Sequence, residues 1–195
     1  MTNIYERLGV DTIINAKGPA TRLTGSILRP EVAQAMVEAS QHCVDLAHLQ
    51  AAAGAYIAEV TGAQSGYVTD GAASGLMLAA AACIAGHDLA AQNRLPDTTG
   101  LKNEIIVARG HRNMYDHAVR TAGAKLIEVG VSDRNTGAGV RDAEPWEYVA
   151  EINERTAAVY CVVVPGNQPT LPEIVAAVAP HGIPIIVDAA GQLPP

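Results

Sequence analysis

A chain of 195 residues, 49% hydrophobic and 17% charged, is long enough to bury one core of ordinary domain size and too apolar for intrinsic disorder. A formal net charge of −7, with 13 scattered Lys and Arg, argues against a nucleic-acid-binding surface. The start, Met1-Thr2-Asn3-Ile4-Tyr5-Glu6-Arg7, lacks the basic and apolar regions of a signal peptide, and the longest apolar stretch, Gly75 to Gly86, is too short to span a bilayer. A soluble cytoplasmic protein with no membrane partner is therefore expected. Cys43, Cys83 and Cys161 are widely spaced in apolar stretches and read as reduced core residues, not as a disulfide framework or a metal site.

Periodicity and punctuation predict a helix over 30–41, with Pro30 in its first turn, and an Ala-rich helix over 44–61. A short strand is expected over Ser65–Thr69, then a nearly all-apolar, buried helix over Ala72–Ile84. The polar stretch Asp88–Lys102 reads as the flexible connection. Beyond it come a strand (Glu104–Ala108), a helix (Asn113–Ala122), a strand (Lys125–Val129) and a helix with Pro near its start (Pro145–Asn153). A fully apolar strand (Ala157–Val164), a helix (Leu171–Ala179) and a last strand (Ile183–Asp188) complete the pattern. Strands apolar throughout belong to a parallel sheet covered on both faces. Alternation with helices gives a three-layer α/β/α architecture with right-handed crossovers. The sequence stops at Leu193-Pro194-Pro195, after the last strand. In a doubly wound sheet ligands bind outside the strands' carboxyl ends, so a site would be completed from elsewhere.

Three segments can carry chemistry. Val68-Thr69-Asp70-Gly71-Ala72-Ala73-Ser74-Gly75 is a strand-to-helix turn of small residues. Such a turn lets backbone N–H groups and a helix N-terminus reach a phosphate; it also suits simple close packing of helix on sheet. Ile185-Ile186-Val187-Asp188 ends an apolar strand in a carboxylate. That group could ligate a metal, meet a ribose, pair with a ring nitrogen, or merely cap the next turn. Arg109-Gly110-His111-Arg112-Asn113-Met114-Tyr115 follows another strand. There His111 or Tyr115 could stack on a planar ring and Arg109 or Arg112 could grip a carboxylate or phosphate, unless the segment is only an exposed polar turn. His42, His48, His87, His117 and His181 have no metal-ligand spacing and read as surface or capping residues.

Taken in order, a phosphate turn, a ring-stacking residue and an Asp for a ring nitrogen, the three resemble the large domain of fold type I (aspartate-aminotransferase-type) pyridoxal-phosphate enzymes. Tyr5-Glu6-Arg7-Leu8-Gly9-Val10, Ile13-Ile14-Asn15-Ala16-Lys17-Gly18 and Val187-Asp188-Ala189-Ala190-Gly191-Gln192-Leu193-Pro194-Pro195 are similar to the selenocysteine synthase-like branch, which includes D-glucosaminate-6-phosphate ammonia-lyase. The resemblance covers essentially the whole chain. It implies an N-terminal segment (1–30) followed by the first part of the cofactor-binding domain (31–195).

By position, the resemblance assigns the cofactor phosphate to Gly71, Ala72, Ala73 and Ser74, and the ring face to His111, with Tyr115 as competitor. It assigns the ring nitrogen to Asp188 and the ring hydroxyl to Gln192. Asn15, Arg22 and Arg112 are the weaker candidates for substrate contact. The departure is the Schiff-base lysine, which in this branch lies in a Ser-Gly-Gly-Lys-like segment well beyond the Asp strand. Lys17, Lys102 and Lys125 do not match it. The expectation is therefore the N-terminal part of a longer enzyme, or one chain of a split one, with no catalytic residue of its own and no activity alone.

For the complete protein the resemblance implies a pyridoxal-phosphate lyase that removes an α-proton from an amino acid or amino-sugar acid and eliminates a β-substituent, working as a homodimer or larger homo-oligomer. Selenium transfer to seryl-tRNA and racemisation share its first steps, and the acidic balance weighs against tRNA. A non-catalytic partner subunit, or a phosphate-ligand module of unrelated fold, is the reading of another class.

Overall fold

The structure, a computed structural model, describes residues 3–18, 21–25, 27–131, 143–163 and 170–192. The chain divides into two compact units, Met1–Val68 and Thr69–Pro195.

The first unit carries α1 (Ile4–Arg7), α2 (Pro30–Ala39) and α3 (Leu46–Thr61). The Asp45 carboxylate caps α3 by accepting the His48 N–H at 2.9 Å, and Gly62, at φ +71°, ends it. The segment after Gly62 returns along α3. The Gln50 side chain donates to the Val68 carbonyl at 2.6 Å and accepts the Val68 N–H at 3.2 Å. The strand expected over Ser65–Thr69 is thus an extended segment with no ladder: a glutamine amide supplies the pairing a neighbouring strand would have given. Gly54 and Gly66 permit this approach, because a Cβ on Gly54 would stand 2.3 Å from the Gly66 carbonyl oxygen.

The second unit contains α4 (Ala72–Ala85), α5 (Leu89–Arg94), β1 (Glu104–Ala108), α6 (Asp116–Thr121), β2 (Lys125–Val129), α7 (Pro145–Ala150), β3 (Thr156–Val162), α8 (Leu171–Val178) and β4 (Ile185–Asp188). All four strands are parallel, in the order β2-β1-β3-β4. The central strands β1 and β3 are buried along nearly their whole length, and the edge strands β2 and β4 are partly exposed. On one face Ile105, Val107, Ala158, Tyr160 and Ile186 pack with Leu76, Ala80 and Ile84 of α4 and Val119 of α6. On the other, Ile106, Ala108, Val159 and Cys161 pack with Tyr148 of α7 and Ile174 and Val178 of α8. This is the expected three-layer α/β/α sandwich.

Two local expectations change. Asp88–Lys102 is not irregular throughout: Asp88 accepts the N–H groups of Ala90 and Ala91 at 2.9 and 3.1 Å and so starts α5. Further on, the buried Thr98 donates to the Gly123 carbonyl at 3.1 Å and accepts from Asn103 at 2.8 Å, which ties the stretch to the loop before β2. Of the cysteines expected in the core, Cys161 is buried and Cys83 half-buried, its thiol pushed up by burial; Cys43, in the turn after α2, is exposed. Among the described residues no helix is long and apolar enough to cross a membrane.

Candidate functional site

The carboxyl ends of β1, β3 and β4 form one edge of the second unit's sheet. There β1 gives way at Ala108 to a single 3-10 turn, Arg109–His111. The backbone then has no acceptor to offer the next donor of β3. The N–H groups of Val159 and Val163 go to Pro184 and Asp188 on the β4 side, so by the alternation of the pleat that of Val162 faces β1. The β1–β3 register ends at Val107↔Tyr160, and the buried His111 takes over: its Nδ1 accepts the Val162 N–H at 3.3 Å.

Asp188, the last residue of β4, shares a face of the sheet with Ile186 and Tyr160, the face covered by α4 and α6. Its Oδ2 accepts the Tyr160 hydroxyl at 3.3 Å, and its Oδ1 accepts the Ala190 N–H at 3.1 Å. Gln192 Nε2 donates to the Val163 carbonyl at 3.3 Å. His111, Asp188 and Gln192 therefore all converge on the end of β3. Leu193, Pro194 and Pro195 of the same motif lie outside the described residues.

The small-residue turn sits at the start of α4, which packs against β3 and β4. Gly71, Ala72 and Ala73 are exposed and Ser74 is half-buried. No side chain caps this helix, and its first intrahelical bond runs from Gly75 N–H to the Gly71 carbonyl. The N–H groups of Ala72, Ala73 and Ser74 thus have no partner within the helix. Gly71 itself sits at φ +152°, a conformation L side chains rarely adopt. An uncapped helix start lined by methyl groups, a carboxylate and a ring at neighbouring strand ends suit the phosphate, nitrogen and face of pyridoxal phosphate.

The remaining candidates have other local engagements. Arg112 pairs with Asp116 and Glu128, and those partners, Asp116 foremost, hold its guanidinium charged. Arg109 joins Glu128 at 3.5 Å and donates to the Gly130 carbonyl at 3.2 Å. Substrate contact by Arg112 would have to use its remaining N–H groups. In the first unit, the Asn15 amide donates to Gly18 and Gly25 carbonyls at 2.9 and 3.2 Å and accepts the Lys17 N–H at 2.9 Å, a loop staple with every donor used. Arg22 lies exposed in a 3-10 turn of that unit, and Tyr115 is exposed at the start of α6. Lys102 and Lys125 stand at the amino ends of β1 and β2, opposite the edge that holds His111 and Asp188; Lys125 pairs there with Glu104 at 3.4 Å.

Two members of the set had no role in the sequence reading. Tyr160 is fully buried within β3, and the Asn113 side chain lies near its hydroxyl. The signal was a phenol inside an otherwise apolar strand, two positions short of the register partner of Asp188.

No family model matches the chain. It is 36% identical, over 96% of its length, to a 5'-C-glycyluridine monooxygenase-decarboxylase from Streptomyces sp. It is 34% identical, over 97%, to a D-glucosaminate-6-phosphate ammonia lyase from Salmonella typhimurium (strain 14028s / SGSC 2262). The chain spans about half the length of these curated relatives, 48% and 52% respectively. A solved structure of D-glucosaminate-6-phosphate ammonia-lyase superposes over 98% of the chain and 52% of that protein, with TM-score 0.89 and 34% identity. An aspartate aminotransferase from Thermotoga maritima shares the fold over 95% of the chain and 48% of its own, with TM-score 0.51 and 19% identity.

Proposed function

We propose, from homology to about half of a D-glucosaminate-6-phosphate ammonia lyase, that the complete protein is a pyridoxal-phosphate-dependent lyase. It would remove the α-proton of an amino acid or amino-sugar acid and eliminate a β-substituent, and this chain would supply much of the cofactor cradle. The observation that carries the reading is the convergence of His111, Asp188 and Gln192 on the end of β3. The N–H groups of Ala72, Ala73 and Ser74, after Gly71, would hold the phosphate by hydrogen bonds and the helix dipole. His111 would cover a ring face, Gln192 would meet the ring hydroxyl, and Asp188 would keep the proton on the ring nitrogen. Bound there, the cofactor supplies an electron sink for charge developing at the substrate α-carbon. No lysine of the sequence is assigned the proton transfer. The relative's substrate supports a phosphorylated amino-sugar acid, with Arg112, Arg22 and Asn15 as the residues to test for contact.

The reading includes a place beside the selenocysteine synthase-like branch, on the N-terminal motifs, and a cytoplasmic homo-oligomer. Ile14 and Ile27, 98% and 99% exposed, support a covering partner for the first unit. A second reading rests on the 36% identity to the 5'-C-glycyluridine monooxygenase-decarboxylase. It keeps the cradle and changes the bond broken at the α-carbon, so that carbon dioxide leaves in place of the α-proton, with dioxygen as the oxidant that a monooxygenase consumes.

Dialysed after incubation with pyridoxal phosphate, the complete protein is expected to retain the cofactor's absorbance at one per chain and to release ammonia from D-glucosaminate 6-phosphate. Carbon dioxide release from a glycyl nucleoside without ammonia would select the second reading. A protein that retains no cofactor would overturn both.

A further inference from the structure

We infer that Tyr160 is a positioning residue for Asp188: its buried hydroxyl fixes the carboxylate in the orientation that meets the cofactor's ring nitrogen. The inference rests on the cofactor reading above and adds to it a residue that touches neither cofactor nor substrate.

Phenylalanine would fill the same space in β3. What tyrosine adds is one hydroxyl, and a buried hydroxyl is unfavourable unless it is hydrogen-bonded. Here it has one partner: it donates to Asp188 Oδ2 at 3.3 Å, and the Asn113 side chain lies close enough to offset a little of the rise in its pKa. The Asn113 amide donates to the His111 carbonyl at 3.2 Å, and its oxygen accepts the Tyr115 N–H at 2.8 Å.

The parallel register makes the contact possible. Tyr160 lies opposite Ile186 and Val162 opposite Asp188, so Tyr160 and Asp188 stand on one face, two residues apart along neighbouring strands. A long aromatic side chain spans that gap. With the Ala190 N–H on Oδ1 and the phenol on Oδ2, each carboxylate oxygen has one partner and a free lone-pair direction, and rotation about the terminal torsion is restrained. Burial first, then the charge of Asp188, pushes the phenol well above the ordinary tyrosine range, so it stays a donor at any working pH.

The test is a double-mutant cycle on pyridoxal-phosphate affinity in the complete protein, with Tyr160→Phe and Asp188→Asn singly and together. Tyr160→Phe is expected to weaken binding about three- to tenfold, the range for losing one weak hydrogen bond. It should also shift the bound cofactor's absorption maximum, and it should add little when Asp188 is already Asn. Asn113→Ala, which leaves the core untouched, should act in the same direction more weakly and keeps the test open if Tyr160→Phe fails to fold. Equal losses for Tyr160→Phe with and without Asp188, or no loss at all, would overturn the inference. Wild type and Asp188→Asn binding the cofactor equally would instead sink the cofactor reading itself.

Discussion

His111 closes a gap in the sheet: its Nδ1 accepts the Val162 N–H that β1, turning away after Ala108, no longer reaches. The ring therefore has a structural duty beside any stacking role, and the two can be separated. His111→Phe keeps a flat ring and loses the acceptor, so it should cost about 1–3 kcal/mol through a stranded N–H. His111→Ala loses both and should also weaken pyridoxal-phosphate binding. Urea unfolding and cofactor titration of the two variants in the complete protein check this. Equal cofactor affinity for both would assign the imidazole to the ladder alone.

Gly54 and Gly66 set the path of the chain out of α3. On helix propensity alone Gly54→Ala would stabilise by about 1 kcal/mol. The new Cβ would meet the Gly66 backbone carbonyl at 2.3 Å, and a backbone atom cannot step aside as a side chain can. Overpacking of this kind costs about 1–3 kcal/mol, so the net effect should be destabilising. Hydrogen exchange at the Val68 amide, held by Gln50, should accelerate in the variant. Unchanged protection there would show that the returning segment can move away at no cost.

The second unit's sheet was legible because its strands are apolar runs with no competing period, and the edge residues Lys125 and Glu128 even mark β2 as less covered. Ser65–Thr69 was misread because composition cannot distinguish a strand from an extended segment whose partner is the side chain of Gln50. α5 was missed because Asp88 was read as loop polarity when it is a cap. In the candidate site, His111, Asp188 and Gln192 had addresses at or just after strand ends, and the fold brings them to the end of β3. Tyr160 has its address in the middle of a strand, and its role depends on a register that only the folded sheet supplies. Asn15 and Arg112 carry partners that composition does not show: the amide of one staples its own loop, and the guanidinium of the other pairs with Asp116 and Glu128.

Glu104 begins β1 almost fully buried and meets Asn153 at 3.0 Å, Arg155 at 2.7 Å and Lys125 at 3.4 Å. The Asn153 hydrogen bond above all, then the two cations, outweigh burial and hold its carboxyl below the ordinary glutamate range. A carboxylate depressed in the folded state contributes stability that is present above its unfolded value and is lost as pH falls through the folded one. Glu104→Gln should therefore be less stable than wild type near neutrality, and the difference should shrink as pH drops below the ordinary glutamate range. Urea unfolding of both proteins across that range measures it. A difference that persists unchanged into acid would mean that shape, not charge, is what Glu104 contributes.

At the start of α4 backbone and hydroxyl make separable claims on a phosphate. Gly71 has open space around its missing side chain, so Gly71→Ala meets no clash; its penalty is the backbone angle, φ +152°, which costs about 1–3 kcal/mol for a residue with a Cβ. Relief of that strain would turn the first N–H groups of α4 away from their present aim. Ser74→Ala leaves those groups in place and removes only a half-buried hydroxyl. If the helix start holds the cofactor phosphate, Gly71→Ala should reduce pyridoxal-phosphate affinity about tenfold or more, the equivalent of 1.4 kcal/mol, and Ser74→Ala should reduce it less. Titration of both variants with pyridoxal phosphate, and with pyridoxal lacking the phosphate, separates the contributions. A larger loss for Ser74→Ala would move the phosphate from the backbone to the hydroxyl, and losses of the same size toward pyridoxal would remove it from this turn.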